Sequence, residues 1–169
     1  LEKNVALALR AFALIAKSHS KTGLVILGDG PEKETLARMA VSLDIDAQVQ
    51  FAGFRDDVEG YLSTASAYLL TSDYEGSGRT LIEAAYAGCP IITTDVGLMG
   101  SILTKEEALI CPPRNAKCLA THLTLILENQ KLGAHLSVAA KKVVMPIISE
   151  PWEAYLTRYC DDLVHTLAV

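Results

Sequence analysis

Four short stretches of the chain are apolar or β-branched at nearly every position: Leu24-Val25-Ile26-Leu27, Ala67-Tyr68-Leu69-Leu70, Ile91-Ile92-Thr93-Thr94 and Ala108-Leu109-Ile110. A strand without polar alternation has to be covered on both faces, which is the condition of a buried parallel sheet. The segments between them repeat apolar residues at helical spacing. Val5, Ala8, Leu9, Phe12, Ile15 and Ala16 mark a helix over 4–17, and Leu36, Ala37, Met39, Ala40 and Leu43 mark a second. Val58, Tyr61, Leu62 and Ala65 mark a third, and Thr80–Ala87 a fourth that Gly88 and Pro90 terminate. Gln48-Val49-Gln50-Phe51 alternates as one more short strand before Gly53-Phe54. Helices are expected at 116–128 and 131–142, and a last one after Ser149, with the Ser149 hydroxyl as its cap and Pro151 in its first turn. Strands alternating with helices predict a single α/β domain, with helices on both faces of a parallel sheet. Ligands of such sheets bind beyond the carboxyl ends of the strands, here the loops after Leu27, Phe51, Leu70 and Thr94.

Charge and cysteine usage narrow the function. A net charge of −5 argues against non-specific nucleic-acid binding, which needs a basic face, so an anionic ligand has to be held by local groups. No apolar run approaches a membrane span, and no leader pattern is visible, so a cytoplasmic protein is expected. The chain opens abruptly on Leu1-Glu2-Lys3-Asn4 and reads as a piece of something longer. Cys89, Cys111, Cys118 and Cys160 have no C-x-x-C spacing and no histidine pattern beside them, so free thiols are expected, with neither disulfide nor metal site. His19, His122, His135 and His165 are scattered over helical segments and read as surface or satisfied residues.

The loop from Thr71 to Thr80 concentrates the chemistry. Gly76 and Gly78 lie between a strand and a helix, where they let a ligand approach the backbone. The helix that follows presents unpaired N–H groups and a partial positive charge to an anion, with Arg79 beside it. Glu83, one turn in, can accept hydrogen bonds from two vicinal hydroxyls such as a ribose offers. The same residues admit another reading: Thr80-Leu81-Ile82-Glu83 fits a capping box, with Thr80 as the cap and Glu83 reaching back.

Glu75-Gly76-Ser77-Gly78, Leu81-Ile82-Glu83-Ala84 and Gly88-Cys89-Pro90-Ile91 together resemble the E-x7-E signature of the large retaining glycosyltransferase family usually numbered 4. Leu27-Gly28-Asp29-Gly30-Pro31, Phe51-Ala52-Gly53-Phe54, Thr94-Asp95-Val96-Gly97, Cys111-Pro112-Pro113 and the Trp152/Tyr155 pair resemble further segments of that family, in order along the whole chain. The resemblance implies the C-terminal, donor-binding half of a GT-B fold: a three-layer Rossmann-like domain over residues 1–169, without its first strand and without the N-terminal acceptor domain. It implies Glu75 and Lys3 as catalytic residues, Glu75 beside the transferred sugar and phosphate and Lys3 clamping the diphosphate. The arginine that accompanies this lysine in the family would precede residue 1. Glu83 is implied at the ribose, the amides of Thr80 and Leu81 at the diphosphate, Ser77 and Gly78 at the sugar, and Arg79, Gly28, Gly53 and Phe54 at the rest of the donor.

The implied activity is retaining transfer from a UDP- or GDP-sugar, with no metal and no cofactor, to a glycan or glycolipid held by the absent domain. The isolated domain is expected to be inactive, and the full-length protein to attach peripherally to a membrane. A non-catalytic nucleotide-sugar-binding module of the same ancestry is the alternative. Ser77 stands where the family is often aromatic and Ser101 where it often has glutamate, so the sugar is not specified. Lys33 takes the place of the third glycine of a dinucleotide fingerprint beginning at Gly28, which argues against a nicotinamide or flavin site.

Overall fold

The computed structural model describes residues 3–75, 78–97 and 102–149. The elements run α1 (Val5–Ala13), β1 (Leu24–Leu27), α2 (Lys33–Ser42), β2 (Val49–Gly53), α3 (Val58–Thr64), β3 (Tyr68–Leu70), α4 (Arg79–Ala87), β4 (Ile91–Thr94), β5 (Ala108–Cys111), α5 (Ala116–Glu128) and α6 (Gln130–Ser149). This is the expected α/β fold with parallel strands. The first helix is shorter than its apolar pattern: after Ala13 the chain tightens into turns in which the Ser18 hydroxyl donates to the Ile15 carbonyl at 2.9 Å. The last described helix runs straight through Pro146 to Ser149. Ser149 is therefore the end of α6, and the final helix expected after it, with Trp152 and Tyr155, lies outside the described residues.

The strands form two parallel groups rather than one continuous sheet, β1-β2 and β3-β4-β5. Helix α1 spans both. Its Leu9 and Phe12 pack with Leu24, Ile26 and Phe51 of the first group, while Leu7 and Ala11 pack with Leu69 and Ile92 of the second. The two-residue strand period sorts the central strand between two cores. Ile91 joins α3, α4 and α6 through Leu62, Leu81, Ala84, Ala140 and Val144, whereas Ile92 faces α1 and α5 with Leu119 and Ile126. Both isoleucines are wholly buried, which accounts for the unbroken apolar reading of this segment.

Tyr68 at the start of β3 shows how packing and titration are linked. Its phenol pairs with the Thr80 hydroxyl on α4, and burial above all pushes its pKa up to about 12. A pKa raised in the folded state adds stability that is intact below the unfolded value, about 10. It is lost as pH rises through the folded value, about 12. Denaturant midpoints taken between these limits should therefore fall more steeply for the wild type than for Tyr68→Phe; parallel profiles would mean that the phenol is not held protonated by the fold.

Candidate functional site

The site is built where the first described residues meet the loop after β3. The Thr71 hydroxyl donates to the carbonyls of Lys3 and Asn4, both at 3.1 Å. Asn4 adopts a left-handed conformation at the start of α1, and its amide donates to Asp73 Oδ1 at 3.1 Å. Arg114, from the loop after β5, donates through Nε to Asp73 Oδ2 at 3.1 Å. The Arg114 bond, then the Asn4 bond, holds the Asp73 carboxyl below the usual carboxylate range. Residues 3–4, 73 and 114 are thereby tied across three separate parts of the chain.

That frame brings Lys3 onto Glu75. The ammonium donates to Oε1 at 2.6 Å and to Oε2 at 2.8 Å, and the Ser72 hydroxyl donates to Oε2 at 2.9 Å. The glutamate side chain is only 8% exposed while that of the lysine is 59% exposed, so the cation closes the solvent side of a buried carboxylate. Ser72 is in turn fixed from the neighbouring strand, where the Thr94 hydroxyl donates to its carbonyl at 2.7 Å. From the next loop Gly97 presses on Glu75: a Cβ at Gly97 would stand 2.7 Å from the Glu75 carbonyl oxygen and 3.0 Å from its Cβ.

Helix α4 begins beside this pair, with Gly78 at φ 59° as its N-cap. Among the described residues no side chain caps it, its first turn holds no acid, and its first residue is Arg79. Thr80 is thus inside the helix with its hydroxyl on Tyr68. Glu83 accepts from Arg79 Nε at 3.0 Å. Neither residue makes the capping box that the sequence also allowed. The Leu81 amide bonds to the Gly78 carbonyl at 2.8 Å, so the donors at this terminus that stay free of such a turn are those nearer Arg79 and Thr80. Helix α1 likewise starts without a side-chain cap and without an acid in its first turn.

Gly28, Gly53 and Phe54 form a second group at the ends of β1 and β2. Asp29 joins them: it accepts from the Phe54 amide at 3.1 Å and from Lys33 Nζ at 2.7 Å. The Lys33 bond is the main cause, ahead of the Phe54 bond, that lowers its pKa. Gly53, at φ 70°, lets the Asp29 carboxylate approach to where its own Cβ would be crowded at 3.1 Å. The Phe54 ring is 76% exposed and that of Tyr74, next to Glu75, 69% exposed. Ser77, Gly76 and Ser101 lie outside the described residues. Sequence reading did not find Asp73, Asn4 or Arg114, because their partners are 41 to 69 positions away and carry no local signal, nor Ser72, although Glu75 is only three residues on.

The expectation of free thiols is corrected at two of the four cysteines. Cys111, at the end of β5, and Cys118, in the first turn of α5, form a disulfide with Cα atoms 5.8 Å apart. Spacing alone hid the pair. The loop through Pro112, Pro113 and Arg114, the last at φ 61°, turns the helix back over the strand end. Asn115 then caps α5 by accepting from the Cys118 amide at 3.0 Å. Cys89 remains a free, buried thiol.

Two left-handed glycines separate conformational strain from contact. Gly88, at φ 75°, has nothing within 4 Å of an added Cβ, whereas Gly97, at φ 65°, has the Glu75 backbone there. Gly88→Ala should cost only the left-handed penalty, about 1–2 kcal/mol. Gly97→Ala should cost clearly more by chemical denaturation, and equal losses would show that Gly97 does not set the position of Glu75.

Three similarities place this fold. A Haemophilus influenzae protein named as an uncharacterized glycosyltransferase is 31% identical over 131 residues, covering 76% of this chain and 37% of its own length. The structure superimposes on that of S. aureus TarM in complex with Fondaparinux, alpha-GlcNAc-glycerol and UDP with a TM-score of 0.84 at 21% identity, over 95% of this chain and 33% of TarM. It also matches the C-terminal domain of a group 1 family glycosyl transferase, LpcC, from Francisella tularensis, with a TM-score of 0.78 at 21% identity, over 86% of this chain and 79% of that one. The chain spans about a third of the length of the curated relatives it matches (37% and 35% for two of them). The family model described as glycosyl transferases group 1 matches residues 1–143, and the chain belongs to that family.

Proposed function

We propose that this domain binds the nucleotide-diphosphate sugar donor of a retaining, metal-independent glycosyltransferase, with the diphosphate at the N-terminus of α4. One observation carries the reading: α4 is built against its own dipole. A helix start ordinarily attracts acids and a capping side chain, and a cation there is unfavourable. Here Arg79 opens the helix, no acid or cap is present, and Lys3 stands at the adjoining Glu75. An anion in that position turns each of these local penalties into an attraction.

Glu83, one turn along and 40% exposed in its side chain, is the ribose acceptor in this reading. Its bond to Arg79 is an exposed i,i+4 pair with the base N-terminal to the acid, the weaker orientation, so exchanging it costs little, about 0.3–0.5 kcal/mol. Donor binding would then give Glu83 to the hydroxyls and free Arg79 for the phosphates. During transfer the bond from the anomeric carbon to the phosphate oxygen breaks and negative charge grows on the departing diphosphate. Fixed positive groups, Lys3, Arg79 and the helix terminus, stabilise that charge. The acceptor hydroxyl attacks on the face from which the diphosphate leaves, and its proton passes to the diphosphate. The UDP bound to TarM supports a uridine donor.

The acceptor is assigned to a second domain, because the chain accounts for about a third of its relatives' length (37% for one of them). Among the described residues the edges of β1 and β3, both against α1, have no further strand paired to them, which supports the expectation of one more parallel strand between them.

The test is a thermal-shift and calorimetric screen against UDP, GDP, ADP and their sugar conjugates. A bound nucleotide at a hundredfold excess over its dissociation constant should add about 2.7 kcal/mol of stability. Glu83→Gln should weaken that binding about ten- to a hundredfold, the worth of hydrogen bonds to a charged group, while the unliganded melting temperature stays near the wild type. Binding that is unaffected in Glu83→Gln would refute the ribose assignment. Binding without transfer by the full-length enzyme would instead favour the non-catalytic module.

A further inference from the structure

Cys111, Cys118 and His122 lie beside the candidate site and contribute no side chain to the contacts described there. Their three ligand atoms all lie within 4.8 Å of one another. Cys111 Sγ is 3.3 Å from His122 Nδ1. Cys118 and His122 are four residues apart on α5, the spacing that puts two ligands on one helix face. Cys111 reaches them from the end of β5, fully buried, while the other two are partly exposed, so the cluster has a wall and a mouth.

We propose that in the reduced protein these three residues form a Cys2His site for a zinc-class divalent cation, and that the Cys111–Cys118 disulfide is its oxidised, metal-free state. A tetrahedral zinc, with bonds of about 2.3 Å to sulfur and about 2.0–2.1 Å to nitrogen, needs its ligand atoms about 3.5–3.8 Å apart. The His122–Cys111 separation of 3.3 Å is near that value already. Opening the disulfide lets the two sulfurs part with their backbones where they are, at a Cα separation of 5.8 Å. Two thiolates and an imidazole select zinc over magnesium or calcium, and the fourth position is left for water.

The chemistry balances with a small-molecule thiol as reductant. Two such thiols transfer two electrons and two protons to the Cys111–Cys118 bond, giving two protein thiols and one small-molecule disulfide. Binding a divalent cation to the two cysteines then releases the two protons. This departs from the expectation of no metal site, which rested on the absence of a C-x-x-C pair. Here the ligands are spread over a strand end and a helix, at spacings of seven and four.

Cobalt(II) is the probe, added to the chain after treatment with a thiol reductant, removal of excess thiol, and a thiol count confirming that the disulfide is open. One equivalent should produce thiolate-to-cobalt charge transfer and tetrahedral d–d bands, which zinc abolishes. The oxidised chain should show neither. Cys118→Ser and His122→Ala, checked for native circular dichroism, should lose or weaken the spectrum at least tenfold in affinity, and Cys89→Ala should keep it. A reduced chain that binds no cobalt, a disulfide that does not open in the native state, or a spectrum kept in Cys118→Ser but lost in Cys160→Ser would each overturn the site.

Discussion

The anchoring of Lys3 and Asn4 on the loop after β3 is the constraint on which the candidate site depends. Lys3 carries a long flexible stem, and an exposed lysine salt bridge is ordinarily worth little, because the side chain has to be immobilised to make it. Here the backbone of residues 3 and 4 is fixed first by Thr71, and Asn4 is held again by Asp73. The ammonium therefore starts close to its partner. The partner in turn is a largely buried carboxylate already bonded to Ser72. Removing the cation from such a pair leaves a charge in a poor solvent, which costs more than the pair itself contributes. The ion pair and the frame thus support one another, and neither is explained by the residues next to it in sequence.

A chain of net charge −5 can hold a diphosphate only if positive charge is concentrated locally. Two helices begin at the site without caps, α1 and α4, and each has a base at or just before its start, Lys3 and Arg79. Of the other helices, α3 has Asp57 as cap and Glu59 in its first turn and α5 has Asn115 as cap, while α2 opens on Lys33 without a side-chain cap but carries Glu34 in its first turn. What sets α1 and α4 apart is the absence of both a side-chain cap and a first-turn acid, so their N-termini keep the positive end of the helix dipole uncompensated by their own residues.

Most of the fold was legible because strands buried on both faces have to be apolar throughout, as Ile91 and Ile92 are. Glycine and proline marked the helix ends. The glycine loop before α4 and Glu83 were legible as a local pattern, and Glu75 and Lys3 only through resemblance. What escaped the sequence was long-range. The division of the strands into two groups depends on which edges meet. The Asp73–Arg114 pair depends on the fold bringing loops from two different strands together. The disulfide was missed for a related reason: residues 111 and 118 are brought together by a left-handed Arg114 and the cap at Asn115, and neither is announced by cysteine spacing. Thr80 and Glu83 are instructive in the opposite sense. Their spacing matches a capping box, yet the helix starts at Arg79, two residues earlier than the box needs, so the hydroxyl turns to Tyr68 and the carboxylate stays at the surface.

The cysteine cluster and the candidate site are joined by a backbone hydrogen bond and an ion pair. The Cys111 carbonyl accepts from the Asp95 amide at 2.9 Å, and Asp95 leads directly to Gly97, which packs on the Glu75 backbone. Three residues beyond Cys111, Arg114 grips Asp73, two positions before Glu75. The segment between the two cysteines is therefore connected to the catalytic-candidate loop from both sides, once through a strand end and once through an ion pair. A covalent or metal bond across that segment limits how far Arg114 can move. Because Asp73 also holds Asn4, the restriction extends to the start of α1 and to Lys3. The frame that places Lys3 on Glu75 therefore includes the loop between residues 111 and 118, through Arg114, Asp73 and Asn4.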